Sequence, residues 1–444
     1  MKVLKFGGTS VGNPERMRSV AKIINDNQPK IVVLSAVSGT TNSLLEIGNL
    51  LAENKIETAK EKIDILYQFY VKFVDDLYST PLGKTNGNEV IENYFTTIRE
   101  ISNKKCGIAE QKVLLAQGEL ISTHLFFYYL HEVGIKTALL PALEFMKIDE
   151  DEEPILPYIE TELPKLLNKY PTVEIYITQG YIARNSSGGI DNLKRGGSDY
   201  TATLIGAALR CEEVQIWTDI DGMHNNDPRV VKKTFAVRQL SFDEAAELAY
   251  FGAKILHPTC IRPTMERNVP VRLLNTLQPS DKGTLISAEN TSGKQITAIA
   301  AKDNITAIKI KSGRMLNAYG FLRRVFEIFE KYKTPIDVIT TSEVALSMTI
   351  DNDARLNEIV SELSLLGHVE VDKDLTIICI VGNFSAEENG IVLKIFEALK
   401  EIPIRMISYG GSRYNTTLLV RTSYKNLALN LLNEGLFKDE LAMV

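Results

Sequence analysis

Met1-Lys-Val-Leu-Lys-Phe-Gly-Gly-Thr-Ser10 opens the chain, and the remainder is organised around it. Val3, Leu4 and Phe6 read as a short buried strand in which Lys5 is an unexpected charge. The strand runs into Gly7, Gly8, Thr9 and Ser10, where the first two residues lack a Cβ and let a ligand approach the backbone closely. Successive N–H groups, two hydroxyls and one ammonium on a strand end make an anion site. A lone Gly-Gly turn beside a surface lysine would look the same. A second glycine-hydroxyl loop, Arg195-Gly-Gly-Ser-Asp-Tyr-Thr201, also opens a helix and changes the balance. Two such loops in one domain point to a nucleotide with a phosphate acceptor beside it.

Working outward, Ile31 to Ala36, Val173 to Thr178 and Glu213 to Trp217 are further strands of an α/β sheet, and each ends in a polar loop. Ligands of open parallel sheets bind at that carboxyl edge. Neither GxxxxGK[ST] nor GxGxxG occurs, which disfavours P-loop and dinucleotide folds. Pro14 to Ile24 is expected as a helix capped by Asn13. Leu44 to Val113 is mainly helical, with a stripe at Ile63, Leu66, Tyr70, Phe73 and Leu77 that reads as core or a partner-packing face, and breaks expected at Pro81 and at Asn86-Gly87-Asn88. The acidic run Asp149 to Glu153 reads as a solvated loop. The segments near 279–283 and 290–293 form the best linker.

Beyond that linker the rhythm becomes β-α-β-β-α-β, with strands at 304–310, 336–339, 344–350 and 369–371 and helices at 321–332 and 356–366. It restarts at Leu375 without a convincing last strand, a place that Ile296 to Ala300 could fill. The expected domains are therefore 1–290, 296–371 and 372–444, the last completed by 296–301.

Composition narrows the function. A length of 444 residues suits two or three domains, and a formal net charge of −6 argues against a general nucleic-acid binder. The apolar runs are too short for a membrane span, and no signal segment is visible. Cys106, Cys211, Cys260 and Cys379 form no CxxC pair and suit a reducing cytoplasm as small core fillers. The five histidines are scattered, with no metal motif.

Taken together, KFGGTSV from Lys5, QGE from Gln117, RGGSDYTAT from Arg195, WTDIDG from Trp217, DPRVV from Asp227 and FGAKILHP from Phe251 resemble the aspartokinases of the amino-acid kinase family. The tail resembles their paired ACT domains. The resemblance implies a three-layer α/β sandwich followed by two ferredoxin-like α+β domains. It implies ATP-dependent phosphorylation of the L-aspartate β-carboxylate, with Mg²⁺ and feedback by lysine or threonine, as the first step towards lysine, threonine and methionine. It also implies a cytoplasmic homodimer through the ACT domains, with tetramers left open. The chain ends at Val444 without length for a fused dehydrogenase, so a monofunctional enzyme is expected.

Residue by residue, the resemblance gives Lys5 the charge on the transferring phosphoryl group, with Asp199 orienting that lysine or holding Mg²⁺ through water. Gly7, Gly8, Thr9, Ser10 and Ser198 would line the phosphates. Thr218, Asp219, His224, Arg229 and Lys254 would hold the nucleotide, His224 standing where relatives often carry tyrosine, and Asp227 would order the loop around Arg229. Thr41, Glu119 and Arg195 would bind aspartate. Met315, Ala318, Phe321, Leu322, Asp337, Thr341, Ser342 and Glu343 would form an effector site in which Asp337 meets an ammonium; Ala318 departs from a common serine. A glutamate or N-acetylglutamate kinase, or a catalytically silent amino-acid sensor, are the alternatives.

Overall fold

The computed structural model describes residues 1–441 apart from 105, 194–195, 254–255, 291–292, 316–318 and 385–389. Arg195, Lys254 and Ala318 therefore lie outside the described residues. By packing, the chain divides into two units. Met1–Met223, Arg238–Phe242 and Leu256–Asn290 form one, and His224–Val237, Asp243–Ile255 and Thr291–Val444 the other.

The first unit starts with β1 (Lys2–Phe6), buried at Val3, Leu4 and Phe6. In α1 (Pro14–Ile24) the Asn13 side chain accepts from the Arg16 N–H and Pro14 occupies the first turn, a local start signal that needs no tertiary help. β2 (Lys30–Leu34) is buried along its whole length. A helical stretch follows, made of α2 (Thr40–Ala52), α3 (Ile56–Leu77), α4 (Pro81–Ser102) and α5 (Ile108–Glu132). The stripe on α3 from Ile63 to Leu77 lies in the core.

One expected break does not occur: α4 runs through Asn86-Gly87-Asn88. Gly87 is a packing residue there, since a Cβ would meet the Tyr78 ring at 2.6 Å and Val74 at 2.9 Å. Close approach of α3 and α4 outweighs the helix penalty of about 1 kcal/mol for glycine.

Then come β3 (Thr137–Leu140), α6 (Ala142–Phe145), α7 (Leu156–Leu167) and β4 (Ile175–Gln179). The hairpin β5 (Ile182–Arg184) and β6 (Ile190–Asn192) turns at Asn185 to Gly189. α8 (Gly197–Leu209) leads to β7 (Val214–Thr218). β8 (Gln239–Ser241), α9 (Phe242–Tyr250), α10 (Pro258–Glu266), β9 (Val271–Asn275) and β10 (Thr284–Ser287) complete the sequence to the linker.

The eight-stranded sheet has the order β3-β4-β2-β1-β7-β9-β10-β8. From β3 to β9 every pair is parallel. The first strand of the chain is therefore central, which is why it is apolar on both faces. The loops after Phe6, Leu34, Gln179 and Thr218 leave from one edge. Between the two linker segments lies β10, which pairs with β9 and β8 inside this sheet.

The second unit is built on a six-stranded sheet, β12-β13-β11-β14-β16-β15. Its elements are β11 (Ile296–Lys311), α11 (Phe321–Lys331), β12 (Ile339–Thr341), β13 (Ala345–Ile350), α12 (Leu356–Leu363), β14 (His368–Gly382), α13 (Ile391–Ala398), β15 (Ile404–Ser408), β16 (Asn415–Arg421), α14 (Lys425–Leu436) and α15 (Lys438–Leu441). The separate strands expected at 296–300 and 304–310 are one strand, as are those at 369–371 and 375–381. Each long strand has a left-handed residue where the sequence reads as a break, Asn304 at φ 60° and Asp374 at φ 57°. Short polar side chains tolerate that conformation, so the register shifts near Lys302 and Ile305 without ending the strand. Ile296 to Lys302 pairs with Ile377 to Gly382, and Ile305 to Lys311 pairs with β13 and the first half of β14. Two cores result: α11 and α12 cover one half of the sheet, α13 and α14 the other.

Candidate active site

At the end of β1 the Lys5 ammonium lies 2.6 Å from Asp199 Oδ1, with the two side chains 12% and 16% exposed. Asp199 is in the first turn of α8, where the helix dipole favours a carboxylate. The pair ties a strand end to a helix start and holds a single ammonium at the mouth of the glycine loop.

Gly8 is needed for space: a Cβ there would stand 2.9 Å from the Ala36 carbonyl oxygen. The loops after β1 and β2 are thus in contact. A Cβ on Gly180, after β4, would likewise stand 2.5 Å from Ser198 Oγ. Of the expected phosphate ligands, Thr9 is exposed, and Gly7, Gly8 and Ser198 are partly so. Ser10 faces inward, its hydroxyl 2.7 Å from Thr276 Oγ1 and 3.4 Å from the Trp217 carbonyl. It fastens the loop to the ends of β7 and β9 and is already hydrogen-bonded there.

Ala36 also organises the acceptor side. Its N–H lowers the pKa of Glu119, a side chain on α5 that is 3% exposed. Gly118 brings α5 against the Ala36 methyl, and Ser122 Oγ donates to the Ser35 carbonyl at 2.7 Å. Glu119 Oε2 is buried and has no hydrogen-bond donor among the described residues. Burial pushes the Glu119 carboxyl up to about 8 against the pull of the Ala36 N–H. A buried carboxylate oxygen without a donor is costly unless a cationic ligand supplies one.

Thr41 is partly exposed at the start of α2, beside Thr40, whose Oγ1 is 2.7 Å from Tyr70 OH. Sequence reasoning took Tyr70 for core or a partner-packing face. The signal it carried was a hydroxyl in an otherwise apolar stripe, which must find a partner when buried.

Of the residues expected for the nucleotide, Thr218 and Asp219 belong to the first unit. Thr218 and Asp219 continue β7, with Thr218 Oγ1 donating to Asp219 at 3.1 Å. His224 and Arg229 belong to the second unit. Asp227 grips Arg229 through both oxygens, at 2.9 and 2.7 Å, and the guanidinium beside it lowers its pKa. His224 Nδ1 is 2.8 Å from Thr234 Oγ1. The same loop is anchored by Asn225 Nδ2 to Asn433 Oδ1 at 2.8 Å and by Val231 in the α13–α14 core.

Among the expected effector residues, Thr341, Ser342 and Glu343 are exposed, Leu322 is 39% exposed and Met315 is partly buried. Phe321 is buried as the first residue of α11 and packs into the core. Asp337 is a buried carboxylate that already faces the Lys302 ammonium at 2.9 Å.

The remaining sequence candidates take structural places. Burial raises the Cys260 thiol to about 12 and the Cys211 thiol to about 11, so both are inert at neutral pH. The run from Asp149 to Glu153 is exposed. No group of three or more His, Cys, Asp or Glu residues among the described residues could hold a metal ion. No described helix is long and apolar enough to cross a membrane.

Residues 1–275 match the amino acid kinase family and residues 378–436 match an ACT domain. Aspartokinase 1, chloroplastic, of Arabidopsis thaliana is 34% identical over 98% of this chain and 80% of its own length. Lysine-sensitive aspartokinase 3 of Escherichia coli is 32% identical over 98% of this chain and 99% of its own. The crystal structure of E. coli aspartokinase III with aspartate and ADP, in the R-state, superposes with a TM-score of 0.84 at 32% identity, covering 98% of this chain and 100% of that one. The T-state structure of the same enzyme, with lysine and aspartate, gives 0.77 over 98% and 99%. By the length and identity of these matches, the chain belongs to the aspartokinases of the amino acid kinase family.

Proposed function

We infer that this chain transfers the γ-phosphoryl group of ATP to the β-carboxylate of L-aspartate, giving 4-phospho-L-aspartate and ADP, under feedback by lysine. The observation that carries the reading is the Lys5–Asp199 pair at the glycine loop after β1, together with the Glu119 oxygen on α5 that has no donor among the described residues.

The chemistry follows from these groups. Glu119 Oε2 takes the α-ammonium of aspartate, which supplies the donor that the buried oxygen lacks. A guanidinium grips an α-carboxylate with two parallel bonds, and Arg195 is assigned that role. Binding through the α-groups leaves the β-carboxylate free to attack. Its pKa of about 4 leaves it ionised at neutral pH, so no general base is required. A new bond forms between a β-carboxylate oxygen and the γ-phosphorus. The bond from that phosphorus to the bridging oxygen breaks, and its electron pair stays on ADP; no proton moves.

Lys5 neutralises the charge spread over the γ-oxygens, and Asp199 keeps its ammonium aimed at them. Mg²⁺ supplies further neutralisation of the nucleotide phosphates. Asp199 would hold such an ion through water, because magnesium keeps several waters and is bound mainly through phosphates. The nucleotide is assigned to Thr218, Asp219, His224, Arg229 and Lys254, and the effector to the residues around Asp337. Pairing of two chains through the ACT sheets completes the proposal.

The test is hydroxamate formation from Mg-ATP, L-aspartate and hydroxylamine, with glutamate and N-acetylglutamate as control acceptors. Aspartate-dependent hydroxamate that falls when lysine is added is expected. Folded protein that yields none with aspartate overturns the reading.

A further inference from the structure

Asp337 does more than wait for a ligand. Its side chain is 2% exposed, and its Oδ1 accepts from Tyr250 OH at 3.0 Å and from Lys302 Nζ at 2.9 Å. Its other oxygen, Oδ2, is buried with no donor among the described residues. Lys302 has a second carboxylate at hand, Asp351 at 2.8 Å, and its ammonium lies 4.7 Å over the Tyr250 ring.

Tyr250 ends α9, and the FGAK segment starts one residue later. That segment is pressed onto the same strand that carries Lys302. A Cβ on Gly252 would stand 2.3 Å from the Ala301 carbonyl oxygen, and Gly252 has φ 114°. The helix itself is fastened within the second unit, by Thr297 Oγ1 to Glu244 at 2.6 Å and Ser412 Oγ to Glu247 at 3.0 Å. So Phe251 to Ala253, which lead in sequence to the residue assigned to the nucleotide, follow directly on the tyrosine that is bonded to the carboxylate assigned to the effector.

A carboxylate can accept several donors, but the charge on one oxygen weakens when a cation binds the other. An ammonium arriving at Oδ2 draws charge away from Oδ1, and Lys302 has Asp351 to fall back on, whereas Tyr250 has no second acceptor among the described residues. We propose that Asp337 couples the two sites: an effector ammonium on Oδ2 shifts Lys302 toward Asp351, releases the Tyr250 hydroxyl, and loosens Phe251 to Ala253 from β11. Tyr250 is a positioning residue in this account. The proposal rests on Asp337 belonging to the effector site.

Tyr250→Phe keeps the ring and removes only the hydroxyl. L-lysine binding, measured by calorimetry on the full chain, is expected within about threefold of wild type, while coupling falls toward unity from a range of about 5–150-fold. Coupling is read as the ratio of ADP dissociation constants with and without lysine. A wild-type ratio in Tyr250→Phe overturns the coupling role. Asp337→Asn is the control for the underlying reading: it is expected to lose lysine binding, and unchanged binding overturns the effector assignment itself. Thermal melts without lysine report that both variants are folded.

Discussion

Glu119 and Asp337 are both buried carboxylates, and their surroundings differ in one respect. Glu119 has backbone N–H groups but no cation among its described partners, so burial leaves it with a pKa of about 8. Asp337 has the Lys302 ammonium and the Tyr250 phenol, which offset the upward push of burial. Desolvation is the same physics in both places; what differs is whether the fold supplies the counter-charge. A site that omits it is prepared for a cationic ligand. A site that includes it has a built-in competitor, and a ligand there changes an existing arrangement. The first suits a substrate pocket, the second a regulatory one.

A third carboxylate, Asp199, sets the upper limit of the comparison, because its cation Lys5 is assigned to the reaction itself. Lys5→Ala is expected to lower kcat about a thousandfold, the scale for removing one aligned charge stabiliser. Steady-state hydroxamate formation checks it. A raised KM for ATP with unchanged kcat would instead place Lys5 in ground-state binding.

Glu119→Gln is next. It removes the charge opposite the α-ammonium, and kcat/KM for aspartate is expected to fall about a hundredfold. An equal fall for ATP would break the assignment of this carboxylate to the acceptor.

The contrast also has a pH signature. The folded pKa of Glu119, about 8, lies above the ordinary carboxyl value of 4.5. Between those values the folded state binds the extra proton, so stability falls as pH rises, and the fall levels off above the folded pKa. Unliganded wild-type protein should therefore melt at lower temperature as pH goes from 6 to about 9, and Glu119→Gln should follow a flatter curve. Saturating aspartate should flatten the wild-type curve as well, by supplying an ammonium partner. Thermal melts across that range decide it; parallel curves for the two proteins would mean that Glu119 is already charged.

Much of this was legible in the sequence, and the limits are physical. The parallel sheet and its carboxyl edge were readable because strands buried on both faces are continuous apolar runs, as in β2. The break expected at Gly87 was misread because one glycine signals either a turn or a close approach, and only the position of Tyr78 tells which. The long strands β11 and β14 were cut at Asn304 and Asp374 for a similar reason: a polar residue with positive φ looks like a turn whether or not the strand continues. Lys5 and Glu119 stood in recognisable motifs. Lys302 and Tyr250 did not, since they meet Asp337 only through the packing of α9 on β11, and no local spacing records that.

Tyr70 gives the smallest effect and the finest test of how the acceptor side is built. Its ring is fully buried, and its hydroxyl reaches only Thr40 Oγ1, at 2.7 Å, among the described residues. Thr40 starts α2, directly after Gly39, which has φ 86° and offers no side chain to cap the helix. The phenol therefore fixes the first turn of α2, and with it Thr41. Tyr70→Phe leaves the packing intact and removes one buried hydrogen bond, worth about 1 kcal/mol. The expected result is a Tm lower by a few degrees and a KM for aspartate raised severalfold, with kcat and the KM for ATP near wild type. If KM for aspartate does not move while Tm falls, the bond serves the helix bundle alone, and the acceptor side is organised by Ala36 and Glu119 without help from α3.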